Sequence, residues 1–262
     1  MLSENAAAEA EALLWDAFAA GTLLPALPER LRPATRAEGY AIQARLEARS
    51  ARPLFGWKIA ATSEAGQRHI NVEGPLAGRI YARRLAGPDA QMRLGDNIMR
   101  VAEAEFAFRF AKDLPARGTP YTREEALAAV GSLHLSIEVP DSRYQDFTKV
   151  GAAQLIADTA CASWLALGPA VEADWRSFDL AAHEVTGTKN GEAVARGSGK
   201  AVLGDPRLAL AWFVNEARQF CGGVRAGEFV TTGTCIKPIE IEPGDALRME
   251  FGVLGSLSAR IV

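Results

Sequence analysis

Glu103 and Glu105 stand two residues apart in Val101-Ala102-Glu103-Ala104-Glu105-Phe106-Ala107-Phe108-Arg109-Phe110. In a β-strand, alternation sends both carboxylates to one face and Phe106, Phe108 and Phe110 to the other. An aromatic face must be buried, so the strand is locked in a sheet and the carboxylates cannot rotate away. Two unit charges about 4 Å apart repel by roughly 4 kcal/mol at an effective dielectric of about 20. Either solvent relieves that repulsion on an exposed face, or a cation does. Glu138 is a third carboxylate, in His134-Leu135-Ser136-Ile137-Glu138-Val139, where Leu135, Ile137 and Val139 take the opposite face. Its competing reading is an exposed edge charge. Carboxylates on two strands, with no Cys or His at metal-ligand spacing, are an all-oxygen donor set that suits Mg²⁺ or Mn²⁺ rather than Zn²⁺. Three of them leave about three positions of an octahedron for water and substrate.

A 2-oxo acid can fill two such positions through its carboxylate and keto oxygens, and a metal there stabilises an enolate. Lys58 lies in the apolar frame Phe55-Gly56-Trp57-Lys58-Ile59-Ala60-Ala61-Thr62-Ser63, which starts as a short strand. It is either a snorkelling edge residue or a group that moves protons, because a desolvated Lys shifts its pKa readily. Glu73-Gly74-Pro75-Leu76-Ala77-Gly78-Arg79 carries two glycines and reads as a loop or turn that can close over a site.

The elements that position these groups are legible in part. Ala8 to Ala20 reads as an amphipathic helix stopped by Gly21. Thr35 and Glu38 form a capping box for a second helix to about Arg49, and Thr122 with Glu125 form another for a helix to about Gly131. Gln154 to Ala166 reads as a helix ended by Gly168-Pro169. Asn190-Gly191 marks a type I′ hairpin. Asp205-Pro206 opens a helix that runs to Gly222-Gly223. Short strands follow at Phe229–Thr232, Ile236–Ile241, Ala246–Phe251 and Leu257–Ile261, with Pro238 marking an edge or bulge. Gly197-Ser198-Gly199-Lys200 has neither phosphate-loop nor dinucleotide spacing and reads as a turn. The expected division is a helical N-terminal segment, 1–54, and a β-rich catalytic body, 55–262, as one continuous domain or a body with an attachment.

Composition narrows the partners. The 262 residues carry a formal charge of −3 with Lys and Arg scattered, which gives no basic stripe for nucleic acid. The 3 cysteines show no C-x-x-C spacing, which argues against a disulfide framework and fits a reducing compartment. No run approaches about 18 apolar residues, so no membrane span is expected. The segment from Met1 to Asp16 lacks the basic n-region of a secretory signal, and the expected location is the cytoplasm.

Taken together, Gly56-Trp57-Lys58-Ile59 with Thr62-Ser63 and Gln67, Glu103-Ala104-Glu105, Glu138-Val139-Pro140-Asp141-Ser142-Arg143, and Ala157-Asp158 resemble the 2-keto-4-pentenoate hydratase family. Gly233-Thr234, Pro243-Gly244-Asp245 and Phe251-Gly252-Val253-Leu254-Gly255-Ser256 are similar too. That family lies within the fumarylacetoacetate hydrolase superfamily and includes 4-oxalocrotonate decarboxylases. The resemblance implies an α+β mixed β-roll with a small helical N-terminal segment, a homo-oligomer, and a role in aromatic compound catabolism. It implies Mg²⁺ or Mn²⁺ on Glu103, Glu105 and Glu138, with Lys58 at the reacting centre. The substrate it implies is a small 2-oxo acid, a 2-hydroxy-2,4-dienoate that takes up water to give a 4-hydroxy-2-oxo acid.

Two positions depart from the family pattern. Leu76 stands where hydratases often carry an acid, leaving Glu73 as the nearest candidate for a base. Cys161 replaces a serine hydroxyl, leaving Ser163 as a substitute. The expected substrate-binding set is Leu76, Arg79, Asp141, Cys161 and Ser163, with Arg79 or Arg143 as partners for a dicarboxylate. Decarboxylation, acylpyruvate hydrolysis through a His69–Glu73 pair, and non-catalytic binding of a 2-oxo acid are the alternatives.

Overall fold

A computed structural model describes residues 2–49 and 54–262. Residues 50–53, just ahead of the expected boundary at 54/55, lie outside the described residues, as does Met1. The main sheet runs in the order Leu76–Tyr81, Leu54–Ala60, Phe229–Thr234, Val101–Phe110, Val130–Val139, Trp164–Ala170, Leu85–Ala86, and Ile239–Glu240 pairs separately with Val101–Phe110. Leu54–Ala60 is parallel to Phe229–Thr234, while the Val101–Phe110 strand is antiparallel to both its main neighbours, so the sheet is mixed. A second sheet is built from Glu192–Ser198, Glu184–Lys189, Ala246–Glu250, Ser256–Ile261 and Ala90–Met92.

Alternation works as the sequence reading expects. Phe106, Phe108 and Phe110 are buried in the main core with Phe213 and Phe251. Full burial of an aromatic side chain is worth about 1.5–3 kcal/mol, so these three side chains anchor the strand that carries Glu103 and Glu105. Opposite them across the ladder, Glu103 pairs in register with Glu138, and Glu105 with Ser136.

The sheet must curl. Lys58 and Glu138 lie three strand spacings apart, about 14 Å along a flat sheet. Yet Lys58 Nζ is 3.1 Å from Glu138 Oε1, so the sheet is rolled around the face on which both side chains stand.

The N-terminal helices close one side of this body. Ser3 caps helix Glu4–Ala20, and Gly21 ends it with φ 68°. The Thr35–Glu38 capping box opens helix Arg36–Arg49. Ala10, Leu14, Ile42 and Leu46 share a cluster with Tyr81, Tyr144 and Ala157 of the body. Gln43 Nε2 donates to the carbonyls of Ala77 and Ile156, which ties helix to sheet.

Two expectations need correction. The segment 154–166 is not one helix: it divides into helix Ala152–Ala157, a 3-10 turn Thr159–Cys161 and strand Trp164–Ala170, which contains Gly168 and Pro169. Thr159, Ala160 and Cys161 all have positive φ, at 55°, 49° and 62°. Arg143 explains the break. Its guanidinium takes the carbonyls of Asp158 and Ala162 and the hydroxyl of Thr159, so tertiary bonds override the helical preference of an Ala-rich run. The stretch 73–79 is not a loop either, because Leu76–Tyr81 is a strand paired with Leu54–Ala60. Gly78 is there for close approach: a Cβ on it would lie 1.8 Å from the Thr159 carbonyl oxygen.

Smaller differences follow the same logic. The helix expected to about Gly131 ends at Ala128 because Val130 already begins a strand. Gly197 and Ser198 finish strand Glu192–Ser198, and a 3-10 turn starts at Gly199. The Ile236–Ile241 strand shortens to Ile239–Glu240, beyond Pro238. Both capping boxes, the Asn190-Gly191 turn and the Asp205-Pro206 helix start occur where expected.

Candidate active site

The rolled face brings Lys58, Glu103, Glu105 and Glu138 together. Glu105, Glu138 and Lys58 are 0%, 1% and 3% exposed, whereas Glu103 is partly exposed. One oxygen from each of the three carboxylates lies within 4.8 Å of the others. A β-bulge helps to aim them. Between Thr231 and Thr234 the Phe229–Thr234 strand uses one residue more than its partner. The extra residue turns Gly233 N–H onto Glu105 Oε2, at 3.0 Å. Gly233 has φ 99°, and a Cβ there would fall 2.0 Å from Thr62 Oγ1, so only glycine fits.

The cluster is short of positive charge. Among the described residues Glu105 Oε1 and Glu138 Oε2 have no hydrogen-bond partner, although such buried atoms are nearly always paired. Burial raises the Glu103 carboxyl to about 7, with the Glu138 charge adding and Lys58 opposing. Burial, then Glu138 and Glu103, hold Glu105 well above the usual carboxylate range. Glu138 is raised by burial against the pull of Lys58. Burial alone would lower the Lys58 ammonium, but Glu138 and Glu103 outweigh it and hold the group raised. Lys58 is therefore a fixed cation. One ammonium faces three carboxylates, and a divalent cation would complete the balance. Bare, converging, all-oxygen donors fit a hard ion of that charge.

The other expected residues divide by position. Leu76 is fully buried, and its pairing with Ala60 puts it on the Lys58 face. Cys161 is buried within electrostatic reach of Lys58. Burial and then Asp158 push its thiol up to about 12, so it is neutral. Arg79 pairs in register with Trp57 on the opposite face, where it contacts Gln43, Glu47 and the Trp57 ring. This removes it from the reacting face. Asp141 accepts from Ile98 N–H and donates its own N–H to the Cys161 carbonyl, fastening the loop after Glu138. Arg143 is spent on Asp158 and its neighbours. Ser163 lines a separate cavity beside the N-terminal helix.

Glu73 and His69 do not form the expected pair. Both are exposed, and no hydrogen bond or ion pair joins them among the described residues. His69 instead meets the Phe147 ring edge-on at 5.9 Å. Sequence reasoning overlooked Gly233 as part of the site, and the signal was a glycine inside a strand pattern, which marks a bulge.

Comparison with known proteins identifies the family. The family model for the fumarylacetoacetate (FAA) hydrolase C-terminal domain matches residues 70–262. The chain is 30% identical over 264 residues to the 2-keto-4-pentenoate hydratase of Burkholderia vietnamiensis, covering 99% of this chain and 98% of that one. It is 31% identical over 232 residues to a 4-oxalocrotonate decarboxylase of Pseudomonas putida, covering 87% and 86%. Its fold superposes on the solved 4-oxalocrotonate decarboxylase from Pseudomonas putida G7, complexed with magnesium and adipate, with a TM-score of 0.89 at 27% identity, covering 100% and 99%. The α+β roll is thus of the fumarylacetoacetate hydrolase type. No helix among the described residues is long and apolar enough to cross a membrane. With the model spanning most of the chain and curated relatives at 30% identity over nearly its whole length, the chain belongs to the fumarylacetoacetate hydrolase family.

Proposed function

We propose that this chain is a divalent-metal-dependent hydro-lyase that adds water to a 2-hydroxy-2,4-dienoate, reacting as its 2-oxo tautomer, to give a 4-hydroxy-2-oxo acid. The observation that carries the reading is the buried convergence of Glu103, Glu105 and Glu138 with Lys58 at 3.1 Å from Glu138. The hydratase relatives supply the reaction class.

Glu103, Glu105 and Glu138 would hold Mg²⁺ or Mn²⁺, which when bound supplies an electrophile for the oxygen end of a 2-oxo acid. Lys58 is kept as an ammonium by its acidic neighbours. It therefore gives rather than takes a proton, and its target is C3 of the enol that remains once water has added at C4, as the 4-hydroxy-2-oxo acid forms; the proton lost by the added water restores the ammonium. Burial of Lys58 and Glu138 keeps bulk water from competing for that proton. Leu76 and Cys161 would meet the tail, and both are uncharged, which suits a short apolar tail over a carboxylate. The protein acts as a cytoplasmic homo-oligomer, with the N-terminal segment that carries helices Glu4–Ala20 and Arg36–Arg49 set on a β-rich catalytic body.

A second reading, decarboxylation of a 4-oxalocrotonate-like acid, is favoured by the full-length superposition on a decarboxylase. Both reactions run electrons into the same 2-oxo end and differ at the distal carbons. Product analysis with 2-hydroxypenta-2,4-dienoate and 4-oxalocrotonate, with and without Mg²⁺, separates them. Metal-dependent formation of the 4-hydroxy-2-oxo acid is expected, and CO₂ release without hydration would reverse the assignment.

A further inference from the structure

Away from the carboxylate cluster, a cavity of about 190 Å³ lies between the end of helix Glu4–Ala20, the turn at 93–97 and the loop after Glu138. That volume holds about six waters, or an anion of a few heavy atoms. Its unpaired groups are donors. Arg84 has no carboxylate partner among the described residues, and its guanidinium lies 4.9 Å from the ring centres of both Phe18 and Trp164. Trp164 Nε1–H is buried without an acceptor. Ser163 is 7% exposed, lines the cavity, and its hydroxyl has no hydrogen-bond partner among the described residues.

The surrounding charge points the same way. Burial lowers the Arg84 pKa, and the neighbouring cations Arg83 and Arg143 lower it further against a single opposing acid, Asp141. Asp141 already accepts from Ile98 N–H, and Arg143 is committed to Asp158. Arg93 and Asp96, both exposed, stand among the other lining residues with opposite charges. Asp141 apart, what the interior lacks is an acceptor with several lone pairs and a negative charge.

We propose that this cavity binds a small oxyanion, a carboxylate or inorganic phosphate, held by the Arg84 guanidinium, the Trp164 indole N–H and the Ser163 hydroxyl. The site is separate from the metal cluster and does not depend on the reaction assigned to it.

The test is calorimetric titration of magnesium-loaded protein with inorganic phosphate and, separately, with acetate, which distinguishes the two anions. Saturable binding of either is expected, weakened at least tenfold by Arg84→Gln and severalfold by Trp164→Phe, which keeps a ring for Arg84 and removes only the N–H. Glu105→Gln, which disables the metal cluster, should leave that binding in place. If Arg84→Gln fails to fold, Trp164→Phe decides alone. The proposal is overturned if neither anion saturates at tens of millimolar. It is equally overturned if binding survives both cavity variants unchanged, or if binding disappears with Glu105→Gln.

Discussion

Two buried ionic clusters lie a few residues apart in this chain, and they are built in opposite ways. In the first, Asp158 accepts from Ser142 Oγ at 2.9 Å, from Arg143 N–H at 3.0 Å and from the Arg143 guanidinium. Arg143 spends its remaining donors on Thr159 Oγ1 and the carbonyls of Asp158, Ala162 and Asp141. Every charge there has its partner. In the second, Glu103, Glu105 and Glu138 share one ammonium, and carboxylate oxygens are left bare. A saturated buried pair costs desolvation and repays it in geometry, so it fixes a shape. An unsaturated one costs more than it returns until something else binds. Arg143–Asp158 holds the left-handed turn that sets Cys161 beside Lys58, and the open cluster does the chemistry.

The largest expected effect tests the open cluster. Glu138→Gln removes a metal donor and the counter-ion of Lys58 together. Turnover should fall by at least 10³-fold, about 4 kcal/mol of barrier, while the urea midpoint of the metal-free protein falls by less than on breaking the closed cluster, because Glu103 and Glu105 still face Lys58. A variant that keeps a tenth of wild-type activity would refute the role given to Glu138.

Asp158→Asn tests the closed cluster. It leaves Arg143 buried without its charge partner, which should cost about 3–5 kcal/mol, read from the urea midpoint. A loss below about 1 kcal/mol would mean that the two clusters do not differ as described.

The open cluster should also set how stability follows pH. Glu103 titrates near 7 in the native protein, and Glu105 and Glu138 are raised as well. Raised carboxyls bind more protons in the native than in the unfolded state. Metal-free stability should therefore be highest below the ordinary carboxylate pKa of about 4.5 as far as these groups decide it, and decline as pH rises toward and through 7. Magnesium replaces those protons, so its stabilising shift in melting temperature should be larger at pH 8 than at pH 6. Equal shifts would contradict the raised values. Smallest of all, Glu73→Gln should leave kcat/KM within about twofold, because the residue is exposed and outside the cluster.

Much of the open cluster was legible because β-alternation is a strict rule. Glu103 and Glu105 share a face by parity alone, the phenylalanines name the other face, and the apolar Leu135, Ile137 and Val139 do the same for Glu138 on its own strand. The capping boxes and the Asn190-Gly191 turn were legible because their chemistry is local. The break at Thr159–Cys161 was not, because a guanidinium from another segment imposes it on residues that would otherwise extend a helix. Arg79 misled for a related reason: once Leu76–Tyr81 is a strand rather than a loop, parity assigns it to the wrong face. The bulge at Gly233 depends on register, which no single segment contains.

The curl that brings Lys58 to Glu138 also bears on when the site comes into being. Lys58 and Glu138 are separated by 80 positions of chain, and long-range pairing of this kind forms late and slowly. The parallel Leu54–Ala60 and Phe229–Thr234 pairing joins segments from opposite ends of the chain. A partly folded chain can present the Glu103–Glu138 register without Lys58, and so offers metal ligands before it offers a proton. Recovery of turnover during refolding should therefore lag the recovery of magnesium binding, and activity becomes a clock for closure of the roll.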